Sequence, residues 1–210
     1  MRRDEVLDII LATKVIAVIR MADSQKLIKV AEAIQQGGVR ALEITMTTPS
    51  ALEIISTLSQ KKAAGMLIGA GTVLDAETAT QAIHAGADFV VSPVLRVELI
   101  RTCRRYDVFV AAGAFTPTEI LTAWEKGADV VKVFPATSVG PKYFQDIKGP
   151  FPQIRLMPTG GVNLENAREF IRSGACCVAI GTALLDKRAI ENEDWGVLTQ
   201  KAAALMDSLR

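Results

Sequence analysis

A lysine interrupts an otherwise apolar strand. The segment Asp129-Val130-Val131-Lys132-Val133-Phe134-Pro135 has the short Val/Phe run of a strand covered on both faces, closed by proline. An ammonium held there loses solvation, which favours the neutral amine. A neutral amine attacks carbonyls and forms Schiff bases. The other reading of Lys132 is a side chain that reaches out to water from the strand end. Glu43 poses the same question within Ala41-Leu42-Glu43-Ile44-Thr45. Alternation places Leu42 and Ile44 on one face and Glu43 on the other. A carboxylate inside an aliphatic strand is costly unless paired or used. Glu43 is therefore a general acid/base or half of a structural ion pair, with Lys132 as a candidate partner. The two roles are compatible.

Further polar residues cluster near strand ends. Arg20 closes the first apolar run, and its planar fork matches a carboxylate or a phosphate, although arginine is common at such ends. Gly69-Ala70-Gly71-Thr72-Val73 follows the third run and Ser92-Pro93 the fourth. Glycine lets the backbone approach a ligand closely, and Thr72 offers a hydroxyl; both segments also fit ordinary turns. Pro158-Thr159-Gly160-Gly161-Val162 follows the seventh run and Gly181-Thr182-Ala183 the eighth. Backbone N–H groups of such loops, with a helix N-terminus, bind phosphate. Other chemistries find no support. The one histidine, His84, sits near the end of a helical pattern, where it suits the helix dipole. No His/Asp/Glu/Cys grouping has metal-ligand spacing, and no Gly-x-Ser-x-Gly or Walker-type loop is present. The three cysteines are Cys103, Cys176 and Cys177. An odd number, two of them adjacent, is a poor disulfide framework. Cys176 and Cys177 read as a packed pair in a core strand.

The elements that must position these residues form a repeating series. Val/Ile-rich runs recur at 15–20, 41–45, 66–69, 89–92, 108–111, 130–134, 155–157 and 177–180. Amphipathic helical patterns lie between them, for example at 27–36, 51–62, 76–85, 97–106, 117–126 and 164–173. Gly37-Gly38, Gly86, Gly127 and Gly174 stand as C-terminal stops, and Asp75, Thr116 and Asn163 as N-caps. Gly86-Ala87-Asp88 recurs as Gly127-Ala128-Asp129, each time leading from a helix into a strand. Eight strands alternating with helices predict one closed parallel (β/α)8 barrel over residues 1–210, a single α/β domain. An extra helix at 4–13 would close its bottom, and 198–209 would be the last helix. An open doubly wound sheet would show Gly-x-Gly-x-x-Gly after its first strand; Val18-Ile19-Arg20-Met21 does not.

Composition sets outer bounds. Half of the 210 residues are hydrophobic, enough for a large aliphatic core. Lys and Arg total 24 against 23 for Asp and Glu, so a bulk electrostatic grip on nucleic acid or an anionic membrane is not expected. No apolar run is long enough to span a bilayer. Met1-Arg2-Arg3-Asp4-Glu5 reads as a helix start rather than a signal peptide. With the cysteine pattern, this predicts a cytoplasmic protein.

Taken in order, several stretches resemble the 2-keto-3-deoxy-6-phosphogluconate aldolase family, the KDPG/KHG aldolases. They are Ile16-Ala17-Val18-Ile19-Arg20, Gly37-Gly38-Val39-Arg40-Ala41-Leu42-Glu43-Ile44-Thr45, Ile68-Gly69-Ala70-Gly71-Thr72-Val73, Phe89-Val90-Val91-Ser92-Pro93, Val131-Lys132-Val133-Phe134-Pro135-Ala136, Lys148-Gly149-Pro150-Phe151-Pro152 and Pro158-Thr159-Gly160-Gly161-Val162. Each is weak alone; together they cover nearly the whole chain. The resemblance implies a class I aldolase without cofactor or metal, usually a homotrimer, acting on a small keto-acid phosphate. It makes Lys132 the Schiff-base lysine and Glu43 the proton-transfer residue. Arg20, Thr72, Pro93, Phe134 and Thr159 would line the substrate site, and Gly160, Gly161, Gly181 and Thr182 would hold the phosphate. Many members carry an arginine four residues after the glutamate, where it helps bind the substrate carboxylate. Here that substrate-binding position is Thr47, as in some relatives, and the contact falls more on Arg20 and Thr72. The end of strand five commonly reads Pro-Gly; here it is Ala112-Gly113. The expected reaction cleaves 2-keto-3-deoxy-6-phosphogluconate to pyruvate and glyceraldehyde 3-phosphate, with 4-hydroxy-2-oxoglutarate as a further substrate. The phosphogalactonate epimer is an alternative substrate. A phosphate-binding barrel isomerase or synthase is an alternative class. A non-catalytic scaffold would gain nothing from two buried charges.

Overall fold

The computed structural model describes residues 1–21 and 23–209; residues 22 and 210 of the predicted domain lie outside the described part. The chain alternates strand and helix: α1 (Arg3–Thr13), β1 (Val15–Ile19), α2 (Ser24–Gln36), β2 (Ala41–Thr45), α3 (Ala51–Lys61), β3 (Leu67–Gly71), α4 (Ala76–His84), β4 (Phe89–Val91), α5 (Val97–Arg105), β5 (Phe109–Ala114), α6 (Pro117–Glu125) and β6 (Val130–Val133). A 3-10 turn (Ala136–Ser138) precedes α7 (Gly140–Lys148), β7 (Leu156–Pro158), α8 (Ala167–Arg172), β8 (Val178–Ile180), α9 (Lys187–Glu191) and α10 (Trp195–Ser208). All eight strands pair in parallel in the order β7-β6-β5-β4-β3-β2-β1-β8. The junction of β7 and β8 closes the ring through two single bridges, Leu156 with Ala175 and Thr159 with Ala179. This is the expected (β/α)8 barrel with its N-terminal helix.

Period-two alternation sorts the strand residues into two cores. Val15, Ala17, Leu42, Ile44, Ile68, Val90, Val110 and Val131 face outward and pack under the helices. Ile16, Ala41, Leu67, Phe89, Phe109, Val130, Met157 and Cys177 face inward and fill the barrel. Val6 and Ile10 of α1 join this inner cluster, so the N-terminal helix plugs the floor. Arg3 fastens the plug, with a guanidinium nitrogen 3.2 Å from the Asp129 carboxylate at the entrance to β6.

The repeated Gly-Ala-Asp tripeptides share one job. Gly86 and Gly127 end α4 and α6 at φ +100° and +97°, the left-handed geometry that glycine adopts without penalty. The aspartate two residues on then clamps the strand beside it. The Asp88 carboxylate accepts the Ile68 N–H of β3, and its own N–H donates to the Ile68 carbonyl. Asp129 makes the same two bonds to Val110 of β5.

Several boundaries differ from the sequence reading. Ala70 and Gly71 lie inside β3 rather than in a following loop, and Ala112 and Gly113 lie inside β5. At the inward-facing glycines, neighbouring atoms occupy the space a side chain would take. A Cβ on Gly69 would collide with the Phe89 ring. Asp75 and Thr116 cap their helices as expected. Asn163 accepts the N–H groups of Glu165 and Asn166, but the turn it caps precedes α8, which starts only at Ala167. Cys176 and Cys177 sit just before β8 rather than in the strand.

Candidate active site

Alternation in β2 and β6 turns Glu43 and Lys132 into the barrel. Glu43 lies opposite Val18 of β1 and Gly69 of β3. Lys132 lies opposite Gly113 of β5 and Met157 of β7. Both are buried, at 1% and 4% relative exposure, above the apolar floor. Two interior glycines make the room. A Cβ at Gly71 would overlap the Glu43 carboxylate, and one at Gly113 would overlap the Pro93 backbone. Gly113 thus lets the turn after β4 fold inward beside Lys132.

The two ionisable groups do not pair directly. Among the described residues no ion pair joins Lys132 to Glu43, and neither Glu43 oxygen has a hydrogen-bond partner in the protein. The direct structural pair that the sequence allowed is therefore absent, because the strands hold the groups apart across the interior. They still sense each other. Burial pushes the Glu43 carboxyl above its ordinary 4.5, and the charges of Lys132 and then Arg20 pull it partly back. A carboxyl raised in this way keeps its proton to higher pH than an ordinary one and is a stronger base once ionised, which suits proton transfer.

Above them opens a cavity of about 250 Å³ lined by Arg20, Phe134, Thr159, Gly160, Gly161 and Thr182, with Gly181 in the same wall. Phe134 joins this cavity to the lysine, its ring centroid 5.4 Å from Lys132 Nζ. Arg20 follows β1 and is exposed to the cavity. Thr159 is buried at the end of β7, and its hydroxyl has no partner in the protein. Gly160 and Gly161 take φ +87° and +74°. A Cβ on Gly161 would strike the Thr137 methyl, so the loop lies tight against the turn after β6 and presents backbone instead of side chains.

Thr47 and Thr72 lie on another part of the rim. They share a depression of about 310 Å³ with Met46, Leu74, Asp75 and Thr78. Thr72 holds φ +57°, a left-handed geometry that is costly for a β-branched residue. The Thr47 hydroxyl lies 3.0 Å from that of Thr45, which lies 3.3 Å from that of Thr48. The structure thus gathers Arg20, Phe134, Thr159, Gly160, Gly161, Gly181 and Thr182 around one cavity, with Lys132 and Glu43 buried in the barrel interior. Pro93 borders the lysine through Gly113, and Thr47 and Thr72 stand apart. The packing roles of Gly71 and Gly113 and the Thr45–Thr48 contact escaped the sequence reading. Glycine at alternate positions of an apolar run was the available signal for Gly69 and Gly71.

Comparison with known proteins places this geometry. The family model for KDPG and KHG aldolase matches residues 6–201. A 2-dehydro-3-deoxy-phosphogluconate aldolase of Pseudomonas aeruginosa is 38% identical over 184 residues, covering 87% of this chain and 83% of that protein. The KHG/KDPG aldolase of Escherichia coli is 30% identical over 197 residues, covering 93% and 92%. A crystal structure of a KDPG aldolase from Legionella pneumophila, with pyruvate captured as a covalent carbinolamine intermediate, superposes with a TM-score of 0.88. It is 30% identical and covers 95% of this chain and 97% of that one. Barrel, interior lysine and coverage agree: the chain belongs to the KDPG and KHG aldolase family.

Proposed function

We propose that this chain is a metal-independent class I aldolase that cleaves 2-keto-3-deoxy-6-phosphogluconate to pyruvate and glyceraldehyde 3-phosphate. The observation that carries the reading is a buried lysine and a buried carboxyl sharing the barrel interior without pairing to each other. A purely structural role would be served by a direct ion pair.

The Lys132 amine adds to the C2 carbonyl, giving a carbinolamine. Loss of water leaves a protonated imine, which is the electron sink. Glu43, through a bridging water, takes the proton of the C4 hydroxyl. The C3–C4 bonding pair moves toward the imine, giving an enamine and releasing the aldehyde. Glu43 returns a proton to C3, and water hydrolyses the imine to pyruvate and free Lys132. Arg20 offers its fork to an anionic end of the substrate. The backbone of Gly160, Gly161 and Gly181, with the Thr182 hydroxyl, receives the phosphate. Thr159 and Phe134 line the path between the lysine and these loops, and Pro93, Thr72 and Thr47 complete the rim. The same chemistry serves 4-hydroxy-2-oxoglutarate, whose second carboxylate replaces the phosphate.

The test is borohydride reduction in the presence of pyruvate, followed by intact and peptide mass analysis. A pyruvyl adduct on Lys132 supports the mechanism, and Lys132→Ala should abolish both adduct and turnover. Folded wild-type protein that takes no adduct, or a Lys132→Ala variant with near-native turnover, would overturn it. A homotrimer in the cytoplasm completes the proposal. Leu74, Val94 and Phe115, exposed on consecutive loops after β3, β4 and β5, support an apolar contact between subunits, which light scattering would test.

A further inference from the structure

The two adjacent thiols take no part in the reaction above. Cys176 and Cys177 hold their sulfurs 3.8 Å apart, close enough for one atom to bond both, yet well beyond the ~2.05 Å of a disulfide. Cys177 faces the barrel floor and is fully buried, whereas Cys176 is partly open to solvent. Their place in the fold is specific. Gly174-Ala175-Cys176 leads from α8 to β8 as Gly86-Ala87-Asp88 and Gly127-Ala128-Asp129 lead into β4 and β6. The Cys176 N–H donates to the Leu156 carbonyl at 2.9 Å, just as Asp88 and Asp129 donate to Ile68 and Val110. In this third copy a thiol stands where the other two carry a carboxylate. The copy also falls at the sparsely bridged junction of β7 and β8.

We infer that Cys176 and Cys177 form a vicinal dithiol site that chelates trivalent arsenicals. The surroundings favour thiolate chemistry at one sulfur. The contact with Cys177, helped by the nearby Arg155 and Lys148 charges, holds the Cys176 thiol below its ordinary value. The third cysteine contrasts with this pair. Cys103 stands alone in the outer core, and burial pushes its thiol up to about 12. The reaction balances without an oxidant. Cys176 sulfur adds to R–As=O, forming an S–As bond while the oxygen takes the thiol proton. Cys177 sulfur then displaces the resulting hydroxyl, which leaves with the second thiol proton as water. Arsenic stays trivalent and is bonded to both sulfurs.

The experiment treats the native, folded chain with phenylarsine oxide and follows intact mass. One phenylarsenic group per chain is expected, retained in excess glutathione and released by dimercaptopropanol. It should map to the peptide carrying Cys176 and Cys177. Cys176→Ser, at a position outside the site that binds substrate, should keep basal turnover and lose the glutathione-resistant adduct, whereas Cys103→Ser should keep the adduct. Reversal by the two thiol reagents needs no variant, so a poorly folded Cys177 substitution does not bear on the outcome. An adduct removed by glutathione, an adduct that persists in Cys176→Ser, or no adduct on the wild type would each overturn the site.

Discussion

Gly71→Ala tests whether an absent side chain positions the proton-transfer group. The added methyl would occupy the space of the Glu43 carboxylate, and the φ of Gly71 is not in the left-handed region, so backbone strain is not the issue. Overpacking costs roughly 1–3 kcal/mol, and loss of glycine entropy in the unfolded chain returns about 0.4–1 kcal/mol. The net loss is therefore up to roughly 2.5 kcal/mol, a fall in Tm of up to roughly 10 °C for a chain of this size. The protein stays folded, but its carboxylate moves. General acid/base catalysis contributes about 10²–10⁴ in rate, equivalent to about 2.7–5.4 kcal/mol of transition-state stabilisation. The assay is kcat for pyruvate release in wild type, Gly71→Ala, Glu43→Ala and the double variant, with Tm measured on each. If Gly71 acts only by giving Glu43 its place, the double variant matches Glu43→Ala within about threefold, a coupling nearly as large as the single effect. The reasoning is refuted if Gly71→Ala keeps kcat within about threefold of wild type while folded, or if the two losses multiply.

Glu43 also sets a pH dependence of unusual sign. Burial raises its carboxyl in the folded state, so from 4.5 up to that raised value the folded protein holds a proton that the unfolded chain has released. This group's contribution to stability therefore falls as pH rises through the window. Glu43→Gln should gain stability on wild type as pH rises above 4.5, as read by urea unfolding, while its kcat drops by roughly 10²–10⁴; a constant stability difference would refute the burial argument. Arg20→Ala should raise KM about 10–150-fold, the value of lost charged hydrogen bonds. It should also move the acid limb of the rate profile upward, because Arg20 helps hold the Glu43 carboxyl down; an unmoved limb would separate the two groups. Gly161→Ala, which needs φ +74° and meets the Thr137 methyl, should weaken the phosphorylated substrate at least about tenfold and spare a phosphate-free analogue in KM comparisons.

Local chemistry made much of this legible in the sequence. Lys132 and Glu43 stood out because charge inside an apolar run has few explanations, and the glycine stops, with the Asp75 and Thr116 caps, delimited several helices. What escaped depends on distant partners. Gly71 read as a loop because the Glu43 carboxylate that takes the place of its side chain comes from another strand. The absence of a direct Lys132–Glu43 pair depends on the width of the barrel, which no single strand encodes. The five-residue α9 carries too few turns for a periodic signal. The split of Thr47 and Thr72 from the main cavity follows from the shape of the rim.

The third Gly-Ala-x copy also carries an engineering consequence. Two other units show what residue 176 would do as a carboxylate: bond the N–H of the preceding strand and draw a nearby cation, as Asp129 draws Arg3 and Asp88 draws Lys62. Arg155 and Lys148 already stand near Cys176. The chain therefore contains its own template for mending its least-paired junction. A thermostabilised descendant could be reached by copying an existing module within the same molecule, without borrowing from another protein.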